Sequence, residues 1–130
     1  MKFQKSFVTR IARVSILLAI VHLLGETYFT FQVGQSIVQV LADLIAVLFV
    51  IYGGVISLKN PTKNGILCGA WGFASCLNYR AFAWRFDEIM SGNENYTITV
   101  TFYILCISLC ISAVFLILSV LINLPKTVIE

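Results

Sequence analysis

The chain has 130 residues and a mass of 14.5 kDa, with 59% hydrophobic and 12% charged residues, a mean hydropathy of +0.93 and a formal net charge of +3. Soluble domains carry about 25% charged residues, and a short chain has proportionally more surface to expose to water. These values argue against a water-soluble globule, a disordered chain and a nucleic-acid-binding arm, and predict an all-α polytopic membrane protein.

A helix crossing the hydrocarbon core needs about 20 mostly apolar residues. The first predicted span covers about residues 11–31, is entered through Lys2, Lys5, Arg10 and Arg13, and contains His22 and Glu26. Its basic entry before the apolar run Val14 to Leu24 resembles a signal peptide, but no small-x-small cleavage site follows, so the segment is read as retained. Gly34, Gln35 and Ser36 then break the chain, with Ser36 the expected N-cap of a second span over about residues 36–57, interrupted only by Asp43. The polar run from Lys59 to Gly65, with Pro61 inside it, precedes a third span over about residues 65–86. That span is the least typical, because it holds Asn78, Arg80 and Arg85. Ser91 to Asn95 lead into a fourth span over about residues 98–124, which carries no charge. No segment has the alternating pattern of about ten residues expected of a membrane barrel strand. The expected architecture is one domain over residues 1–130, a four-helix transmembrane bundle with short loops.

Lysine and arginine placement orients the spans. Lys2, Lys5, Arg10, Arg13, Lys59, Lys63 and Lys126 would gather at one end of such a bundle. The first connection carries no lysine or arginine, and the third carries Asp87, Glu88 and Glu94 beside Arg85. By the positive-inside rule both termini are expected in the cytoplasm, at the inner membrane if the source is bacterial. Asn95-Tyr96-Thr97 is then a glycosylation sequon on the outer side, with meaning only in a eukaryotic secretory pathway.

With this orientation several ionisable residues fall at one depth. At about 1.5 Å per residue, His22 lies near the midplane, Asp43 about 5 Å to the outer side, and Glu26 and Arg80 roughly 7 Å to it. His22 and Glu26 are an i, i+4 pair, as are Gln39 and Asp43, whose stripe Ser36 continues. Cys76 and Arg80 share a third face, extended by Trp84 and Asp87. A lipid-facing ion costs at least about 2.5–3.5 kcal/mol, so Arg80 is expected between Glu26 and Asp43, with His22 beside Glu26. Gly65, Gly69 and Gly72, with Ala70 and Ala74, are expected to let the third helix approach its neighbours closely, and Gly53-Gly54 to do so for the second. Trp71, Trp84, Tyr28, Tyr52 and Tyr103 read as interfacial anchors.

The first functional expectation is binding or translocation of a small ligand, ion or lipid by His22, Glu26, Gln39, Asp43, Asn78 and Arg80. Arg85, Asp87 and Glu88 would form a polar mouth, and transport would require a homo-oligomer or larger membrane complex. The second is an intramembrane acid–base enzyme, with His22, Glu26 and Asp43 catalytic and Arg80 holding one carboxylate ionised. The stretch His22-Leu23-Leu24-Gly25-Glu26-Thr27-Tyr28-Phe29 resembles the His-x-x-x-Glu-x-x-Phe stretch of the EXPERA domain. That four-helix membrane family includes sterol isomerases and sigma-2-type receptors, and it places an acidic residue on the next helix, as Asp43 stands here. The resemblance covers two short segments and implies isomerase-like chemistry on an apolar substrate. The chain departs from the family in its very short first connection and in lacking polar or tryptophan residues mid-span in helix four.

A third expectation is an accessory or assembly subunit whose activity resides in a partner. Against all three stands a charge network that only fixes helix register, although buried ion pairs stabilise poorly compared with apolar packing. Cavity geometry separates these readings. A pocket opening sideways to lipid around His22 and Glu26 favours the enzyme, an opening to water near Arg85 favours transport, and no void around Arg80 favours the register network.

Cys68, Cys76, Cys106 and Cys110 lie in apolar stretches with no CxxC or Cys/His spacing, which argues against a disulfide framework or a zinc site. A soft-metal site of His22 with Cys76, Cys106 and Cys110 lacks the methionines and paired thiolates it would use, so no metal is expected. No phosphate-binding loop, dinucleotide fingerprint, HExxH or serine elbow occurs, so no soluble cofactor is expected either.

Overall fold

The computed structural model describes residues 2–34, 36–93 and 95–124, with the backbone alone for Lys2, Phe3, Gln4, Val33 and Gln39. Gln35, Glu94 and Lys126 lie outside the described residues. The chain folds into four helices, α1 (Lys2–Val33), α2 (Ile37–Lys59), α3 (Gly65–Met90) and α4 (Tyr96–Asn123), with no strand among the described residues. Each helix contains most or all of one predicted span. Helix α1 runs ahead of its predicted span from Lys2, and no glycine or proline interrupts it before Gly25. The segments Lys5–Gln32, Val40–Lys59 and Tyr96–Asn123 are long and apolar enough to cross a membrane. Helix α3 is 26 residues long, but Arg80, Arg85, Asp87 and Glu88 make it the most charged of the four over its second half.

The turns follow from local chemistry. Gly34 and Gly92 end their helices with φ of 71° and 79°, the left-handed conformation that glycine takes without a Cβ penalty. At Gly92 the amide donates to the Ile89 carbonyl and the Asn93 amide to the Glu88 carbonyl, closing a Schellman motif on α3. Asn95 caps α4 by accepting from the Ile98 amide at 2.9 Å. Ser36 holds the N-cap position of α2 with extended backbone, but its hydroxyl makes no capping bond.

Helix α1 packs on α2, α2 on α3 and α3 on α4, while contact between α1 and α4 is sparse. Short connections make successive helices antiparallel, so the bundle is closed on three sides and thinly joined on the fourth. The closely packed end is built on Gly53 and Gly54. A Cβ on Gly53 would lie 2.8 Å from Leu67 Cα, and one on Gly54 would lie 2.7 Å from Ile16 Cγ1. The glycines of α3 do not play this part: Gly65 and Gly69 face open space, and Gly72 has only Leu116 Cδ1 at 3.8 Å. Ser15, Ser57, Ser112 and Ser119 are fully buried, so small side chains also let the helices come close at these positions.

The core gathers Ile11, Ala12, Ala19, Val47, Val50, Leu67, Ala70 and Trp71. Trp71 is thus a core residue and not the interfacial anchor its type suggests. Its Nε1 donates to Ser15 Oγ at 3.0 Å, and its ring packs on Phe115 with centroids 4.9 Å apart. Trp84, Tyr28, Tyr52 and Tyr103 are all exposed, as anchors would be.

Candidate functional site

Beyond the Trp71 layer residues of all four helices line a cavity of about 370 Å³. The antiparallel arrangement orders its lining by depth. Val50, Trp71 and Ser112 form the floor, where α2, α3 and α4 are still close. His22, Val47, Ala74 and Ser108 follow, and Glu26, Phe29, Asp43 and Asn78 lie furthest from the floor. The i, i+4 spacing of His22 and Glu26 turns both toward this space, and Phe29 continues the same face of α1. The three positions shared with the EXPERA-like stretch, His22, Glu26 and Phe29, therefore all line the cavity. Of the residues between them, Leu24, Thr27 and Tyr28 are exposed outside the lining, and Gly25 is exposed and lines it.

One side of the cavity is open. Val21 and Gly25 on α1 and Ile104 and Ile107 on α4 line it and are themselves exposed, with Val21 at 57% and Ile107 at 62%. The mouth thus lies at the sparse α1–α4 seam and is rimmed by apolar side chains.

Arg80 does not take the place expected of it. It is exposed, does not line the cavity and pairs with neither Glu26 nor Asp43. The cause is helical phase. At about 100° per residue, Arg80 stands roughly 180° around α3 from the buried Trp71, whereas Asn78 stands about 20° from it. Cys76, Arg80, Trp84 and Asp87 do share a face, and all four are exposed, so that face points outward. The expected polar mouth of Arg85, Asp87 and Glu88 is also absent from the lining. Arg85 and Glu88 instead form an i, i+3 ion pair along α3, the only one among the described residues. Gln39 sits one turn before Asp43 on α2, but its side chain lies outside the described residues.

The lining is therefore apolar with a few placed polar groups, two of them carboxyls. Asn78 accepts a hydrogen bond from Ser108 Oγ at 3.3 Å, linking α3 to α4 across the cavity wall. Glu26 Oε2 is buried and has no hydrogen-bond partner among the described residues. Among the described residues, no lysine or arginine lines the cavity. An ionised carboxyl group in hydrocarbon needs a cation or several donors around it, and no described donor of the lining bonds Glu26 Oε2. Ser108 and Ser112 were not singled out from the sequence, although their i, i+4 spacing on an uncharged helix marks a polar stripe.

His22, Glu26 and Asp43 border one space without converging as a metal-binding set, and no such set of three occurs among the described residues. All four cysteines are free thiols outside the lining, with Cys76 and Cys110 exposed. Comparison with protein-family models, with curated proteins and with solved structures found no match.

Proposed function

We propose that the chain is a four-span membrane protein whose cavity binds an apolar small molecule bearing a cationic group, taken up sideways from the bilayer. The observation that carries this reading is Glu26 Oε2, buried without a hydrogen-bond partner among the described residues in a cavity that also holds Asp43 and His22 and, among those residues, no lysine or arginine. A protonated amine would provide the missing counter-charge, and its hydrocarbon part would lie against Val47, Val50, Trp71 and Ala74. The apolar rim at Val21, Gly25, Ile104 and Ile107 supports entry from lipid and not from water. In this reading α3 crosses the membrane with the other helices, and both termini face the cytoplasm.

The test uses the purified protein in lipid nanodiscs and three probes of equal chain length: dodecylamine, dodecanol and dodecanoate. Dodecylamine should raise the melting temperature in a concentration-dependent way, while the other two should not. Glu26→Gln combined with Asp43→Asn should remove the amine effect. Equal shifts from amine and alcohol, or an amine effect that survives the double substitution, would overturn the proposal.

A second reading, acid–base catalysis on the bound molecule, is favoured by one specific arrangement. His22 and Glu26 lie one helical turn apart on the cavity wall, beside a mouth that opens sideways. A histidine and a carboxyl group there could pass a proton between two carbons of an apolar substrate, as an isomerase does. Under this reading His22→Gln keeps amine binding but abolishes turnover of a sterol-like olefin. Turnover that persists in His22→Gln would remove His22 from any catalytic role.

A further inference from the structure

The face of α1 that points away from the bundle is basic at one end and apolar beyond it. Lys5, Ser6, Thr9, Arg10 and Arg13 together line a shallow groove on this face. Their spacing of three to four residues sets them on one side of the helix, roughly opposite the buried Val8, Ile11, Ala12 and Ser15. No acidic residue precedes Glu26 in the sequence, and no ion pair among the described residues engages these cations. Between Val14 and Leu24 the same side carries no polar residue and exposes Leu17 at 60%, Ile20 at 43% and Leu24 at 66%. The polar-to-apolar change between Arg13 and Val14 is what a headgroup–hydrocarbon boundary requires of a membrane helix.

We infer that this face is a binding site for one anionic phospholipid. Its phosphate is held by Arg10, Arg13 and Lys5, and an acyl chain lies along Leu17, Ile20 and Leu24. The two halves of the face argue for a lipid over a free phosphate ion, because a soluble anion would use the cations and leave the adjoining stripe unused. Arginine suits the role, since its planar fork gives two parallel hydrogen bonds to phosphate oxygens. None of Lys5, Arg10, Arg13, Leu17, Ile20 and Leu24 lines the cavity.

The experiment is native mass spectrometry of the full chain, released from nanodiscs containing equal parts phosphatidylglycerol and phosphatidylcholine. The wild-type protein should retain phosphatidylglycerol selectively. The triple variant Lys5→Gln/Arg10→Gln/Arg13→Gln should lose that selectivity, by about fivefold per cation removed. Its melting temperature is read in parallel, and Leu17→Ser/Ile20→Ser, which leaves every cation in place, gives a second route to the same loss. Lys59→Gln/Lys63→Gln removes charge from the loop at the same end of the bundle and should change retention little. Equal losses in the triple variant and this loop variant would mean a diffuse field and overturn the site. Displacement of the retained lipid by millimolar inorganic phosphate would overturn the lipid assignment, as would undiminished selectivity in the triple variant.

Discussion

At the residue scale, Gly53 is where the fold tolerates least. Any Cβ there meets Leu67 Cα at 2.8 Å and Leu67 N at 2.9 Å, which are backbone atoms that cannot turn aside. Gly53→Ala must push α2 and α3 apart, and overpacking of this kind typically costs about 1–3 kcal/mol. Gly69→Ala on α3 meets nothing within 4 Å and gains helix propensity, so it should be neutral or stabilising by up to about 1 kcal/mol. Melting temperatures of the two variants in one detergent check both claims, and a Gly53→Ala protein as stable as wild type would refute the close α2–α3 contact. Trp71 offers a second residue-scale test. Trp71→Phe keeps an aromatic ring against Phe115 but removes the donor to Ser15 Oγ, leaving a fully buried hydroxyl without that partner. A loss of about 1–3 kcal/mol is expected, recovered in part by adding Ser15→Ala.

At the scale of helices, the seam between α1 and α4 separates a bundle that admits a ligand from one that does not. Gly25 sits on this seam, lines the cavity, and has open space where a Cβ would stand. Gly25→Phe should therefore fold normally and obstruct the mouth, slowing association of dodecylamine at least tenfold while the melting temperature without ligand stays within a degree or two. Unchanged association would mean that the ligand enters elsewhere. The sequence made the four helices and the His22–Glu26 face legible, because apolar length and i, i+4 spacing are properties of one segment. The placement of Arg80 was not legible in the same way. Its companions Cys76, Trp84 and Asp87 were grouped correctly, but grouping fixes a face without fixing where that face points. Direction depends on which side of α3 packs against α2 and α4, and the large ring of Trp71 settles that in favour of Ala74 and Asn78. The glycines misled for a related reason. Gly65 and Gly69 are small, but closeness needs a facing partner, and Leu67 and Ile16 face Gly53 and Gly54 instead.

At the scale of the whole molecule, α3 decides the topology. Among the described residues three helices are long and apolar enough to cross a membrane, and with three crossings the two termini would lie on opposite sides. A fourth crossing brings them to the same side and sets Asp87 and Glu88 opposite Lys5, Arg10, Arg13, Lys59 and Lys63, which share a side in either case. Helix α3 has 26 residues, about 39 Å at the usual rise, which exceeds a hydrocarbon core of about 30 Å. It shares core residues with its neighbours through Leu67, Ala70 and Trp71, and it exposes Phe73 and Tyr79 on its outer surface. Left in water, α3 would have to expose those side chains and strip one wall from the apolar cavity. Against insertion stand the outward Arg80 and the charges beyond it, softened by the Arg85–Glu88 pair and by the reach of an arginine side chain toward the nearer interface. The balance favours crossing, and cysteine labelling tests it. In a background with all four native cysteines replaced by alanine, Ser36→Cys, Thr62→Cys and Asn93→Cys each place one thiol in a connection. Four crossings require Ser36→Cys and Asn93→Cys to react with an impermeant maleimide from the same side of a sealed vesicle, and Thr62→Cys from the other. Reaction of Thr62→Cys and Asn93→Cys from one side would mean that α3 does not cross, and the cavity would then border water along one wall.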